Sequence, residues 1–214
     1  DELISKYLEG EAISNEEISE AIKKSTIAGK LVPVFVGSAL QSIGIQPLLD
    51  AICCYLPSPE EKDAFVATNL ATNNKEEVKP NVGSPFSSLI FKTSVDPYVG
   101  RLSYFRVYSG TISSNSQAWN ANKKGIERVG QLFTLRGKTQ DPVSQLAAGD
   151  IGVVARLNLS TTGDTLCARE CPVIFDGIEF PQAVFSMAIQ PQTKADLDKM
   201  STVLPKVCEE DPSL

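Results

Sequence analysis

The chain has 214 residues, 42% of them hydrophobic, with a formal net charge of −6 and a sequence pI near 4.8. That is enough for one large domain or two small ones with real cores, and it excludes the basic surface typical of a whole-chain nucleic-acid binder. Five cysteines without regular spacing and a complete lack of histidine exclude a secreted disulfide framework, a His-based triad and a His general base.

Cys167 and Cys171 read as small core residues rather than metal ligands. No apolar stretch approaches the length of a membrane span, and Asp1-Glu2 opens no signal pattern. The expected setting is soluble, reducing and cytoplasmic, without membrane or DNA partners.

Residues 1–57 read as α/β. Ser14-Asn15-Glu16-Glu17 has the capping-box pattern, followed by Ile18, Ala21 and Ile22 at helical spacing, with Gly29 as the stop. The apolar run Leu31 to Val36 predicts a strand buried on both faces of a parallel sheet. Gly37-Ser38-Ala39 then turns the chain toward a second helix opened by Gln46-Pro47. Leu48, Leu49, Ile52, Cys53 and Leu56 form that helix's apolar stripe, and Pro57-Ser58-Pro59 ends it. Taken alone, the "GSAL" turn is open between a plain connection and a ligand-holding one.

Residues 58–84 are polar and aperiodic, which predicts a linker or long surface loop. From Pro85 to about Val173, short apolar segments alternate with turn signals every 8–12 residues, the pattern of a small antiparallel barrel. Within it Asp96-Pro97-Tyr98-Val99-Gly100-Arg101 reads as a hairpin loop with Gly100 free to take positive φ. Residues 121–140 hold Lys123, Lys124, Arg128, Arg136 and Lys138 against Glu127, a local +4, so the remainder sums to −10. That run is either a solvated face or a contact for an anionic partner.

Residues 182–190 predict a strand. Thr193 to Glu209 predicts a helix capped by Thr193, with Leu197, Met200, Leu204 and Val207 on one face and Pro205 loosening it. One strand and one helix cannot close a core. The C-terminal piece is therefore expected to be incomplete, docking on the rest of the chain or on a neighbouring molecule.

In this order and spacing, "PVFVGSAL", "GIQPLLDAICCYLPSP", "DPYVGRLSYFRVYSGTI", "AGDIGVVARL", "TGDTL", "AIQPQTKADLDKM" and "EEDP" resemble the middle of bacterial elongation factor G, a translational GTPase. The resemblance implies a multi-domain fragment. Residues 1–57 would be the α/β tail of a GTPase domain and 58–84 the linker. Residues 85–176 would be a translation-factor β-barrel, and 177–214 an incomplete α+β (ferredoxin-like) piece.

The resemblance further implies that Ser38, Ala39 and Leu40 line a guanine pocket through backbone N–H groups. It makes Lys123, Lys124, Arg136, Lys138 and Arg101 candidate ribosome contacts. GTP or GDP with magnesium would serve the intact protein and none is expected on this piece, which carries no G-x-x-x-x-G-K-[ST] string. The implied role is translocation or ribosome recycling. The "LRGKTQDPVSQL" stretch departs from the family's His-containing pattern and suggests a divergent paralogue. A stand-alone β-barrel interaction module without GTPase activity is the alternative.

Overall fold

A computed structural model describes residues 3–62, 64–96, 99–137 and 139–214, and residue 2 by its backbone alone. The chain divides into two compact units, residues 1–62 and 63–214.

The first unit is helical: α1 (Glu2–Glu9), α2 (Asn15–Ile27) and α3 (Ile45–Tyr55). The capping box forms as expected. Ser14 Oγ accepts from Glu17 N at 3.2 Å, and Ser14 N donates back to Glu17 Oε2 at 2.9 Å. Glu17 also pairs with Lys6, and Lys23 reaches Glu61 at 2.6 Å, tying α2 to α1 and to the Pro59–Glu61 turn.

The strand expected over Leu31–Val36 is absent. Val34 and Val36 are 84% and 94% exposed, and only an isolated Ser38–Ile43 bridge forms nearby. A parallel strand needs neighbours for its amides, and no strand lies beside this run among the described residues.

Among the described residues, the second unit carries thirteen strands and one α-helix. They are β1 (Phe65–Asn69), β2 (Lys75–Val78), β3 (Ser87–Asp96), β4 (Gly100–Ser109), β5 (Thr111–Ser113), β6 (Ser116–Asn120) and β7 (Gly125–Val129). There follow β8 (Leu132–Arg136), β9 (Thr139–Val143), β10 (Gln145–Ala147), β11 (Ile151–Ala155), β12 (Thr165–Cys167), β13 (Val173–Phe175) and α4 (Lys194–Glu210).

Eight strands make one curled antiparallel sheet in the order β7-β6-β12-β3-β4-β11-β8-β9, with the β10-β5 ribbon beside it. This is the antiparallel barrel that the turn spacing predicts. Alternation places Ile90, Phe105, Val107, Val129, Leu132, Val154 and Leu166 in its interior. Each such side chain stabilises the fold by roughly 1.5–3 kcal/mol. Gly110, at φ +68, lets β4 turn into β5. A Cβ there would lie 2.5 Å from the Ser84 carbonyl oxygen and 2.6 Å from Phe86 N, so no other residue fits.

Two expectations are corrected in this unit. Residues 65–78, read as linker or surface loop, form the β1-β2 hairpin, and β1 pairs on its other edge with β13. This small sheet packs through Ala67 and Phe175 on Leu89 and Cys167 of the large one. Conversely, residues 182–190 form no strand. Val184, Phe185, Met187 and Ile189 are exposed, and no described strand lies alongside to accept their backbone.

The α4 helix does form, with Thr193 Oγ1 accepting from Asp196 N at 3.2 Å. Its last turn meets the β3-β4 hairpin, where Val95 N donates to Glu210 Oε1 at 2.5 Å. Leu197 and Leu204 remain 47% and 40% exposed.

Candidate functional site

Two regions hold the residues singled out by sequence: the 37–44 turn in the first unit and hairpin loops of the barrel in the second, where the register sets Arg101 and Lys123 toward one end and Arg136 toward the other.

In the turn, Gly37 and Gly44 bring the two backbones into contact. A Cβ on Gly37 would lie 2.7 Å from the Ile43 carbonyl oxygen, and Gly44 takes φ +76. Ser38 N donates to Ile43 O and Ile43 N donates to Ser38 O, each at 3.0 Å, which closes the loop. The Ser38 amide is therefore committed inside the turn. Its hydroxyl accepts weakly from Gln41 N at 3.4 Å.

The amides of Ala39 and Leu40 donate to no other described residue, and Leu40 is 97% exposed. Two outward N–H groups on a small-residue turn can donate to the carbonyl of a planar base and disfavour an amino group at the same place. The turn thus leaves the Ala39 and Leu40 amides open to an acceptor, whereas Ser38 offers only its hydroxyl.

At the barrel end the organising residue is Glu127, 1% exposed on β7. Its carboxylate accepts from the backbone N–H groups of Asn158, Leu159 and Ser160 at 3.1, 2.6 and 2.6 Å, and from Ser160 Oγ at 2.8 Å. Four donors offset the cost of burying the charge and fix the turn after β11. Beside it Asn120 Nδ2 donates to Ser160 Oγ and to Asp164 Oδ2 at 2.9 and 3.0 Å. Along the sequence Glu127 registers only as a charge against the basic run. The available signal is its period-two relation to Val129, which places both on the inward face.

The candidate cations sit unevenly in this framework. Lys123 Nζ donates to Leu159 O and Thr161 Oγ1 at 2.6 and 2.8 Å and lies 3.2 Å from Asp164 Oδ2, so it fastens two loops together. Arg101 donates to Leu157 O and lies 3.9 Å from Glu209 on α4. Arg136 pairs with Asp141 at 3.5 Å while remaining 82% exposed. Lys124, at φ +54, is exposed. Lys138 lies outside the described residues, as do Pro97 and Tyr98 of the predicted hairpin loop.

The +4 counted along 121–140 is thus partly cancelled in space, by Asp164 from outside the run and by Asp141 at its edge. Among the described residues no three or more Cys, Asp or Glu side chains converge on a metal position, and no helix is long and apolar enough to cross a membrane.

Comparison with known proteins places this geometry. A family model described as elongation factor G domain 2 matches residues 85–169, and one described as elongation factor G, domain III, matches residues 180–214. A crystal structure of a protein from Thermus thermophilus superposes with a TM-score of 0.75 at 28% identity. That alignment covers 100% of this chain and 30% of the other, so the chain spans less than a third of that protein's length. With two of the family's domains matched in order over more than half of the residues, the chain belongs to the elongation factor G family of translation factors.

Proposed function

We propose that the intact protein is a ribosome-associated, cytoplasmic GTPase acting in translocation or ribosome recycling, and that this chain is its connecting part. The match to two successive elongation factor G domains carries the reading. In this reading residues 1–57 end a GTPase domain, 85–176 form the second domain and 177–214 begin the third.

In this reading the Ala39 and Leu40 amides, with the Ser38 hydroxyl, face the guanine of GTP or GDP. The bound nucleotide and magnesium supply hydrolysis, whose outcome is an order–disorder change in switch segments. The role of this chain is mechanical. The hydrogen bond from Val95 N to Glu210 and the Arg101–Glu209 contact join barrel to α4, so movement of one is felt by the other.

Lys124 and Arg136, with Lys138, meet ribosomal RNA at its phosphates, while Lys123 and Arg101 hold the 157–164 loops beside Lys124. The exposed segment 184–189 is where a partner element joins the C-terminal piece. Assaying translocation and ribosome recycling separately with the full-length gene product tests the reading. Activity in neither step overturns it.

A further inference from the structure

We infer that the outward face of β3 and β4 is a strip that holds the phosphate backbone of RNA, with Lys92 and Arg106 as its ligands; the inference rests on the ribosome-associated reading above. Along β4, Phe105 and Val107 point into the core, so Tyr104, Arg106 and Tyr108 share the opposite face. Lys92 of β3 is paired across from Tyr104, and its ammonium lies 5.4 Å from that ring's centre. The Arg106 guanidinium lies 5.8 Å from the ring centres of both Phe65 and Tyr108. The rings hold each cation in place without neutralising it.

What distinguishes these two cations from Arg101, Lys123 and Arg136 is the lack of an acid. Arg101, Lys123 and Arg136 each face a carboxylate. Neither Lys92 nor Arg106 forms an ion pair with a described residue. The register explains why: the residues opposite Arg106 on its two neighbouring strands are Leu89 and Ile151, both apolar. Arg106 Nε is buried without a hydrogen-bond partner, and no hydrogen bond joins its guanidinium to a described residue. Nε lies out of a ligand's reach, so it is the other edge of the fork, also without a hydrogen bond to a described residue, that a phosphate oxygen meets.

Lys92 and Arg106 stand beside residues two apart on one strand face, a spacing of about 7 Å. That spacing suits successive phosphates, which are read by charge and not by sequence. Phe65 and Tyr108 pack with Phe175 under the small sheet, and it is the Tyr104 ring beside Lys92 that favours a nucleic acid over an acidic peptide.

The experiment measures binding of the 214-residue chain to purified ribosomes and to polyuridylate across a range of salt. Replacing both residues (Lys92→Gln with Arg106→Gln) is expected to lower the slope of log affinity against log salt by roughly 1.4 to 1.8. Lys92→Gln alone, at an exposed position that leaves packing intact, is expected to lower it by roughly half as much. Arg106→Lys, which keeps the charge, is expected to retain the wild-type slope, and so is the charge-matched control Lys199→Gln on α4.

Wild-type binding with unchanged slopes in the Lys92 and Arg106 variants overturns the strip and leaves the ribosomal reading standing. A wild-type chain that binds neither ribosomes nor polyuridylate overturns the strip, and the reading for the intact protein is overturned only by the full-length assays above. Displacement of polyuridylate by polyglutamate at equal charge overturns the assignment to RNA.

Discussion

Glu127 shows at the scale of one residue how this barrel end is built. A carboxylate in the core is expensive, yet here it stands where four hydrogen-bond donors of the 158–160 turn converge. Glu127→Ala removes the acceptor and leaves those donors unpaired, so it is expected to cost about 3 kcal/mol or more, read as a lower urea midpoint. A midpoint close to wild type would mean that water replaces the carboxylate.

A second residue-scale expectation concerns the thiols. Cys53, Cys54, Cys171 and Cys208 are exposed and Cys167 is buried. Burial pushes the Cys167 thiol up from its ordinary value. A raised value means that the unfolded chain loses this proton first. Stability is therefore unaffected below the ordinary thiol pKa of about 9 and falls as pH rises from there toward the folded value. A thiol reagent near neutral pH should titrate the four exposed groups quickly and the fifth only on unfolding. Five fast equivalents would contradict the burial.

Among the elements, the helices of the first unit lean on surface carboxylates. Hydrogen bonding to Lys6 holds the Glu17 carboxyl below its ordinary value, and Lys24 and Lys23 do the same for Glu20 and Glu61. Depressed values mean stability that is present above the ordinary glutamate pKa and lost as pH falls through the folded ones. Helicity of residues 1–62, followed by circular dichroism at low salt, is expected to fall as pH drops below about 4. Added salt should weaken the effect. A flat acid titration would mean that the pairs contribute nothing.

Elements encoded within three or four residues are the legible ones. Ser14 with Glu17 and Thr193 with Asp196 cap helices through patterns complete in themselves. The barrel strands are legible because period-two alternation and turn residues are local as well. Pairing across the chain is not. β1 and β2 read as polar loop because β1 depends on β13, far along the chain, to become a strand. Leu31–Val36 and residues 182–190 have strand composition but no adjacent strand among the described residues. Likewise the pairing of Lys123 with Asp164 and Arg136 with Asp141 cannot be seen by counting charge along a window.

For the whole molecule, the division of labour follows from what each part can bind. Two backbone amides, as proposed for Ala39 and Leu40, would contribute about 0.5–1.5 kcal/mol each, whereas even millimolar affinity needs roughly 4 kcal/mol. Calorimetry with GDP on the 214-residue chain is therefore expected to show no binding, and micromolar affinity would point to a different nucleotide site.

The central claim is that this family member works on the ribosome at the expense of GTP. Multiple-turnover GTP hydrolysis by the full-length gene product, measured with and without ribosomes, tests it most directly. The account predicts hydrolysis that ribosomes accelerate many-fold, and the same slow rate with and without ribosomes would contradict it.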